Sequence, residues 1–317
     1  MKQNAARYKK KHRIRKLLVI AVSFTIIIAG GRSLLSRLPA GVLSNQVVPE
    51  EQVNGGGTAT ANLYSEHGIL IERKTGDVLW KKACDSKTWP ASLTKIMTVL
   101  AAIEETSDLR KKVTLPEDIY PALYSEKASM AGFLPGETVR VIDLLYGSML
   151  PSGAEASATL ARYVSGTEEA FVALMNQKAN QLGMTGTHYE NVTGLHHPNH
   201  YTTAADTAKL LRYALQNKTF RTIFTAERYS IPPTNLHPSG ITFHSTLSQN
   251  ADTLLFNGGK IIGGKTGYTQ QAQLCLASLA VKNGKEYILV TTGAPGSHET
   301  AQFNILDAIS LYSHYAK

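Results

Sequence analysis

The sequence predicts an α+β domain in which segments from both ends of the chain share one antiparallel sheet. Strand-like runs occur early, in HGILIERKTGDVLWKK, and again late, in QLCLASLAV and KEYILVTTG. Between them, from about residue 115 to 225, the apolar residues recur mainly with helical spacing. Strands at both ends around a helical insert are typical of one folded unit whose terminal segments pair.

Each predicted element has a local signal. The early run is a hairpin, because its two strand-like halves flank a Thr-Gly-Asp turn. The segment SLTKIMTVLAAIEET predicts a helix that is entered through Pro90. Further helices are expected in VIDLLYGSML, EEAFVALMNQKANQLG, TAADTAKLLRYALQ and the final ETAQFNILDAISLYSHY, and a further strand in GITFHSTL.

The charge of the chain is concentrated at its start. The sequence has 317 residues and a formal net charge of +9. Residues 1–32 contain nine Lys or Arg and no Asp or Glu, which leaves 24 basic and 24 acidic residues for the rest. Because a nucleic-acid-binding surface needs a basic field on the folded part, we predict no nucleic-acid partner.

The first 61 residues predict an attachment to the cell membrane. Residues 1–16 form a basic tail, and 17–31 are the uncharged run LLVIAVSFTIIIAGG, a pattern typical of a secretory signal or an anchor. Because no clean cleavage site follows, we favour an uncleaved anchor in the cytoplasmic membrane, with a cleaved signal as the alternative. Residues 32–61 predict a flexible linker and 62–317 the folded domain. The basic tail predicts that this domain lies on the extracytoplasmic face.

Ser92 and Lys95 form the first candidate for a catalytic pair. In the S-x-x-K spacing of SLTK, the two side chains lie one helical turn apart on the same face. A neutral lysine there can take the serine proton and turn the hydroxyl into a nucleophile. The alternative is a serine helix cap beside a solvated lysine, since this short motif also occurs by chance.

A second serine, Ser152, precedes an alanine-rich helix in MLPSGAEAS, 60 residues after Ser92. It is either the N-cap of that helix after a proline turn or one edge of a catalytic pocket. The same chain segment carries Ala154 two residues further on.

Lys-Thr-Gly occurs twice, with different interpretations. The copy at 74–76 falls in the hairpin turn and is structural, because Gly and Asp are turn formers. The copy at 265–267 follows two glycines and opens a predicted core strand. Glycines there let a ligand approach the backbone closely, and a lysine with a hydroxyl suits a substrate carboxylate.

Together these motifs resemble a known family. S-x-x-K, a later serine element and a distal K-T-G are the signature of penicillin-binding proteins and class A β-lactamases. The longer stretches WPASLTKIMT, PGETVRVIDLLYGSMLPSGAEAS, FVALMNQKANQLGMTGTHYENVTGLHHPNHYTTAADTAKL and GGKTGYTQQAQLCL resemble the serine D-alanyl-D-alanine carboxypeptidases of the low-molecular-weight penicillin-binding protein group. The resemblance implies a serine β-lactamase-like fold, with an antiparallel sheet flanked by N- and C-terminal helices and a helical subdomain.

The resemblance also implies a role for each motif. Ser92 would be the nucleophile that attacks the penultimate D-alanine carbonyl, and Lys95 the general base. For Lys95 to be neutral near pH 7, its pKa must fall by about 3 units, which costs roughly 4 kcal/mol. Burial and the second cation, Lys265, both favour this decrease. Ser152 would relay a proton to the departing D-alanine amine.

The substrate contacts follow from the same resemblance. Lys265 and Thr266, followed by Gly267, would bind the terminal carboxylate of the peptide. The backbone N–H groups of Ser92 and Tyr268 would form an oxyanion hole, in which one donor is typically worth about 3 kcal/mol of transition-state stabilisation. No cofactor is implied.

This sequence departs from the family at Ala154, where an asparagine is expected. An alanine cannot supply the side-chain amide that would contact the substrate backbone and Lys95. Glu155 stands one position late, so we expect it to point elsewhere. We therefore predict a site that works without that amide contact.

The implied function is a D,D-carboxypeptidase that trims peptidoglycan stem peptides and is inhibited by β-lactams. One alternative is a D,D-endopeptidase, because the chain ends just after the predicted final helix, without the β-rich domain of the larger carboxypeptidases. Another is a catalytically weakened penicillin- or muropeptide-binding protein, which the missing asparagine could produce. A β-lactamase should add a Glu-x-x-Leu-Asn element that this sequence lacks.

Several further residues are predicted to be structural. Ser248-Gln249-Asn250 matches S-x-N but is expected in a loop that opens no helix. The histidines in HHPNHY are expected in a connecting segment, without a metal. Cys84 and Cys275 could pair outside the cytoplasm, although Cys275 is expected to behave as a small buried apolar residue.

Overall fold

A computed structural model describes residues 63–251 and 253–317, in which one six-stranded antiparallel sheet organises the fold. The strands of the described chain are β1 (His67–Glu72), β2 (Val78–Lys82), β3 (Lys112–Thr114), β4 (Thr138–Arg140), β5 (Arg228–Ser230), β6 (Thr242–His244), β7 (Leu255–Phe256), β8 (Gly259–Thr269), β9 (Gln273–Lys282) and β10 (Lys285–Ala294). The large sheet has the order β2-β1-β10-β9-β8-β7, and β3–β4 and β5–β6 form two small ribbons. The prediction that both ends of the domain share one sheet is confirmed, since β1 pairs directly with β10.

The helices lie mainly between β2 and β7 in the sequence. They are α1 (Thr94–Glu104), α2 (Tyr120–Ser125), α3 (Val141–Met149), α4 (Ala154–Ser165), α5 (Glu168–Gln181), α6 (Ala204–Ala214), α7 (Lys218–Phe224), α8 (Thr246–Asn250) and α9 (Phe303–Tyr315), with 3₁₀ turns at Ala91–Leu93 and Glu117–Ile119. The predicted hairpin and the helices expected from the apolar spacing are all present.

The two faces of the sheet pack against different helices. Because successive side chains of a strand point to opposite faces, Ile69 and Ile71 join one apolar core and Leu70 joins the other. The first core contains Ile96 of α1, and the second contains Leu311 of the C-terminal helix α9. Helix α1 is buried along almost its whole length, which is typical of a central core helix. This burial fixes the residues at its start.

The structure corrects two details and leaves one region outside its description. Residues 246–250, expected as a loop, form the short helix α8. Cys84 and Cys275 are both buried free thiols, so the pairing that the sequence left open does not form, and the prediction that Cys275 is buried is confirmed. The described residues do not include the predicted tail, anchor and linker. They also do not include any N-terminal helix that precedes residue 63. Within the described residues, no helix combines the length and the hydrophobicity needed to span a membrane.

Candidate active site

Ser92 and Lys95 meet where the 3₁₀ turn Ala91–Leu93 leads into α1. Lys95 Nζ donates a hydrogen bond to Ser92 Oγ at 3.0 Å and another to the Thr193 carbonyl oxygen at 2.7 Å. The i, i+3 spacing brings the two side chains to the same side of the turn. Lys95 is 2% exposed, so it is not the solvated lysine of the alternative interpretation.

The environment of Lys95 favours its neutral form. Burial lowers the pKa of the Lys95 ammonium to about 7, against an opposing influence from the carboxylate of Glu155. A general base works best with a pKa near the operating pH. The Lys95 amine can therefore both accept a proton from Ser92 and return it under neutral conditions.

Ser152 completes a hydrogen-bonded array around Ser92. Its hydroxyl donates to Ser92 Oγ at 2.9 Å, although 60 residues separate the two serines in the sequence. The helix-cap alternative for Ser152 is wrong, because Gly153 occupies the N-cap position of α4 and no side chain caps it. Ser152 has φ +68°, a conformation that costs about 1–3 kcal/mol and recurs at active sites.

The second Lys-Thr-Gly motif lies near the end of β8, beside Ser92. The prediction that it opens the strand of QLCLASLAV is wrong, because that run forms the next strand, β9, which begins at Gln273. Lys265 is fully buried and donates from Nζ to the Thr266 carbonyl oxygen at 2.8 Å. Burial, and then the neighbouring Lys95, lower the pKa of Lys265 well below its ordinary value. The Thr266 hydroxyl shares a 2.6 Å hydrogen bond with that of Thr246, a residue at the start of α8 that the sequence analysis did not single out.

At Gly267, β8 contacts the turn that carries Ser92. A Cβ built on Gly267 would lie 3.0 Å from the Ser92 nitrogen and 3.1 Å from the Ala91 Cβ. The absence of a side chain therefore lets the strand lie directly against the Ser92 amide. The next residue, Tyr268, lines the cleft in front of Ser92.

A loop between α5 and α6 holds Lys95 from the other side. The Asn191 side-chain oxygen accepts hydrogen bonds from the backbone N–H groups of Thr193 and Gly194 and from the Thr193 hydroxyl. A Cβ on Gly194 would lie 1.8 Å from the Ala91 carbonyl oxygen. The Thr193 carbonyl that binds Lys95 was missed by sequence reasoning, because a backbone group leaves no residue-type signal.

These groups open onto a cleft of about 520 Å³. Ser92, Lys95 and Tyr268 line it, whereas Ser152 and Lys265 are buried behind them. Ala154 also lines the cleft and presents only a methyl group there. Glu155 does point elsewhere, as expected: its Oε1 accepts hydrogen bonds from three consecutive backbone N–H groups, those of residues 131–133.

The remaining motifs have structural roles. Gly76 of the first Lys-Thr-Gly has φ +86° in the β1–β2 turn. Ser248 donates to the carbonyl oxygen of Ser245, the residue just before α8, and does not line the cleft.

His200 links two chain segments. Its Nδ1 accepts the Glu190 N–H, so its Nε2 donates to the Thr94 hydroxyl at 2.8 Å. Burial lowers the pKa of His200 to about 3, so this histidine stays neutral. Among the described residues, no group of His, Cys, Asp or Glu is arranged to hold a metal ion.

The fold is a sheet with a helical insert, and its site holds a serine that is hydrogen-bonded to a buried lysine and to a second serine. Together they define a serine hydrolase. The sequence profile of a peptidase family described as D-alanyl-D-alanine carboxypeptidase matches residues 55–296. The chain belongs to this family, and the resemblance found in the sequence is confirmed.

Individual relatives agree with this assignment. The D-alanyl-D-alanine carboxypeptidase DacF of Bacillus subtilis is 34% identical over 83% of this chain and 66% of its own length. A D-alanyl-D-alanine carboxypeptidase of Streptomyces is 32% identical over 74% of this chain and 83% of its own length. DacC of Escherichia coli is 34% identical, and the match spans 56% of its length. The chain therefore corresponds to only part of some of these relatives.

Solved structures show the same fold. A DD-transpeptidase of Streptomyces superposes with a TM-score of 0.71 at 28% identity, over 81% of this chain and 99% of the other. A D-alanyl-D-alanine carboxypeptidase of Mycobacterium tuberculosis gives a TM-score of 0.68 at 26% identity, over 81% and 94% of the two chains. The predicted fold class is confirmed by both.

Proposed function

We propose that this chain is a serine D,D-carboxypeptidase that removes the terminal D-alanine from peptidoglycan stem peptides and is acylated by β-lactams at the same serine. The hydrogen-bonded array of Lys95 Nζ, Ser92 Oγ and Ser152 Oγ carries this proposal. Membership of the carboxypeptidase family supports the choice of substrate.

Acylation begins with the neutral Lys95 amine. It takes the proton of Ser92, and Ser92 Oγ forms a bond to the carbonyl carbon of the penultimate D-alanine. The backbone N–H groups of Ser92 and Tyr268 stabilise the negative charge that develops on the carbonyl oxygen. This assignment is supported by Gly267, the residue before Tyr268, which lies against the Ser92 amide. The C–N bond then breaks, and the proton passes to the leaving D-alanine amine through Ser152.

The substrate is held along β8. One edge of β8 pairs with β9, and on the other edge β7 pairs only with Gly259 and Lys260. Within the described residues, the part of β8 that faces the cleft therefore has one edge without a paired strand. An extended peptide can add to such an edge. Lys265 and Thr266 bind its terminal carboxylate, and the arriving negative charge favours the protonated form of the buried lysine. Water finally cleaves the ester, restores the Ser92 hydroxyl and releases the shortened peptide.

D-alanine release from a pentapeptide ending in D-Ala-D-Ala tests this function. The purified protein should release D-alanine, and Ser92→Ala should abolish both release and covalent labelling by a fluorescent penicillin. Ser248→Ala is the matched control, because this serine lies outside the cleft, and it should retain both. If the penicillin labels the protein but no D-alanine is released, the protein is a penicillin-binding protein without carboxypeptidase activity, and the proposed enzymatic function is contradicted. A cross-linked stem-peptide dimer, assayed in parallel, measures endopeptidase activity directly.

We also propose that residues 17–31 anchor the chain in the cytoplasmic membrane, with residues 62–317 on the extracytoplasmic face. The basic residues of 1–16 and the uncharged run after them support this topology. Protease added to intact spheroplasts should digest the domain, whereas the tail should be protected. If the protease digests neither the domain nor the tail, or if high salt releases the domain from the membrane, the proposal of a membrane anchor is contradicted.

A further inference from the structure

One segment of the cleft wall carries a serine that the mechanism above does not use. This segment, residues 128–133, is here called the wall loop. Ala128 and Ser129 line the same cleft as Ser92 and Lys95. The Ser129 carbonyl oxygen accepts the backbone N–H of Ala154 at 2.8 Å. Residues 129 and 154 are therefore joined by a backbone hydrogen bond, and their side chains project from the same part of the cleft wall.

The wall loop is fixed in place before any substrate arrives. Glu155 is fully buried, and its Oε1 accepts the N–H groups of Ala131, Gly132 and Phe133 at 2.7, 2.9 and 3.2 Å. The Tyr120 hydroxyl donates to the Phe133 carbonyl oxygen at 3.0 Å. A group presented by such a loop can bind without first losing conformational freedom, which strengthens binding.

Gly153 brings the wall loop even closer to the catalytic serines. A Cβ on Gly153 would lie 2.6 Å from the Ala131 Cβ, so the loop packs directly against the residue that follows Ser152. The position of the loop is thereby tied to the active-site array.

A peptide in this cleft needs polar partners on the wall. Its backbone N–H and C=O groups lose water on binding, and each one left unpaired costs about 1–3 kcal/mol. Ala154 offers only a methyl group. The Ser129 hydroxyl can both donate and accept, and it makes no hydrogen bond within the described part of the chain. The neighbouring Glu126 and Lys127 are long and exposed, so fixing them costs more side-chain entropy.

We propose that Ser129 is a substrate-binding residue whose hydroxyl bonds the backbone amide preceding D-Ala-D-Ala, in place of a side-chain amide at position 154. The same hydroxyl bonds the side-chain amide of a penicillin. Glu155 is the positioning residue that holds the wall loop for this contact. The inference rests on the proposed function and adds a specificity-determining residue to it.

Two β-lactams that differ only at this amide test the inference. Benzylpenicillin carries an acylamino side chain, whereas 6-aminopenicillanic acid has a free amine on the same ring system. Ser129→Ala should lower the second-order acylation rate constant for benzylpenicillin by about threefold to tenfold, the effect of one hydrogen bond. The rate constant for 6-aminopenicillanic acid should not change. Ser107→Ala, at an exposed serine outside the cleft, should change neither.

Further variants separate a binding role from a structural one. Adding Ala154→Asn to Ser129→Ala should restore the preference for benzylpenicillin, because the amide then comes from position 154. The midpoint of thermal unfolding of Ser129→Ala should equal that of the unsubstituted protein. Equal losses on both β-lactams, or no loss on benzylpenicillin, would overturn the inference while the proposed function stands. If neither compound acylates the unsubstituted protein, the proposed function fails as well.

Discussion

The protonation of Lys95 should control the rate at which Ser92 is acylated. The base must be neutral, and burial lowers its pKa from 10.5 to about 7. As the pH rises through this value, Lys95 loses its proton and the acylation rate constant should rise to a plateau. At pH 6 only about one-tenth of the molecules carry neutral Lys95, so acylation should be about tenfold slower than on the plateau.

Stopped-flow acylation by benzylpenicillin measures this dependence, because the ligand has no group that titrates near neutral pH. The rate constant should be recorded from about pH 5 to pH 9, where the midpoint reports the free enzyme. Lys127→Ala removes an exposed lysine from the rim of the same cleft and should leave the midpoint in place. A flat profile, or a rate constant that still rises about tenfold per pH unit at pH 9 without reaching a plateau, would refute the argument that burial prepares Lys95 as the base.

Three further predictions concern the groups around this pair. Glu155→Gln keeps an oxygen acceptor for the wall loop but removes the charge that raises the pKa of Lys95. The midpoint of the pH dependence of acylation should therefore move to lower pH. A move to higher pH would contradict this electrostatic coupling. Lys95→Met should abolish acylation yet raise the free energy of unfolding. The shift from 10.5 to about 7 corresponds to a cost of about 5 kcal/mol. Because the folded pKa is depressed, that cost is full below pH 7 and disappears towards pH 10.5. Two lost hydrogen bonds, each about 1 kcal/mol, reduce the gain seen in urea denaturation at pH 6 to about 3 kcal/mol; destabilisation at that pH would show that the buried ammonium is not costly. Gly194→Ala places a Cβ 1.8 Å from the Ala91 carbonyl, so the Thr193 carbonyl must move off Lys95 and acylation should slow by at least about tenfold. The control is Gly166→Ala, because Gly166 has a similar φ of +80° but open space around it. This control should cost about 1–3 kcal/mol of stability without slowing acylation. Equal acylation rates for the two variants would contradict the role of the 191–194 loop.

The sequence by itself determined many of the elements and the local half of the site, but not the strand β8 or the β3–β4 ribbon. Alternating and helical apolar patterns identified the β1–β2 hairpin, the paired strands β9 and β10, and the main helices, because these periods follow from backbone geometry alone. The Ser92–Lys95 contact was predictable for the same reason, since helical spacing places residues i and i+3 together. The short helix α8 was missed, because five residues carry too weak a period.

Only the tertiary structure decided what surrounds this pair. The hydrogen bond from Ser152 to Ser92 joins residues 60 positions apart, and Lys95 is buried by segments that no local pattern connects to it. The Thr193 carbonyl and the Glu155 clamp on the wall loop use backbone groups, which are identical at every residue and so leave no mark in the sequence. Residue types can name a nucleophile and its base, whereas the pKa of that base and the wall of the cleft depend on packing between distant parts of the chain.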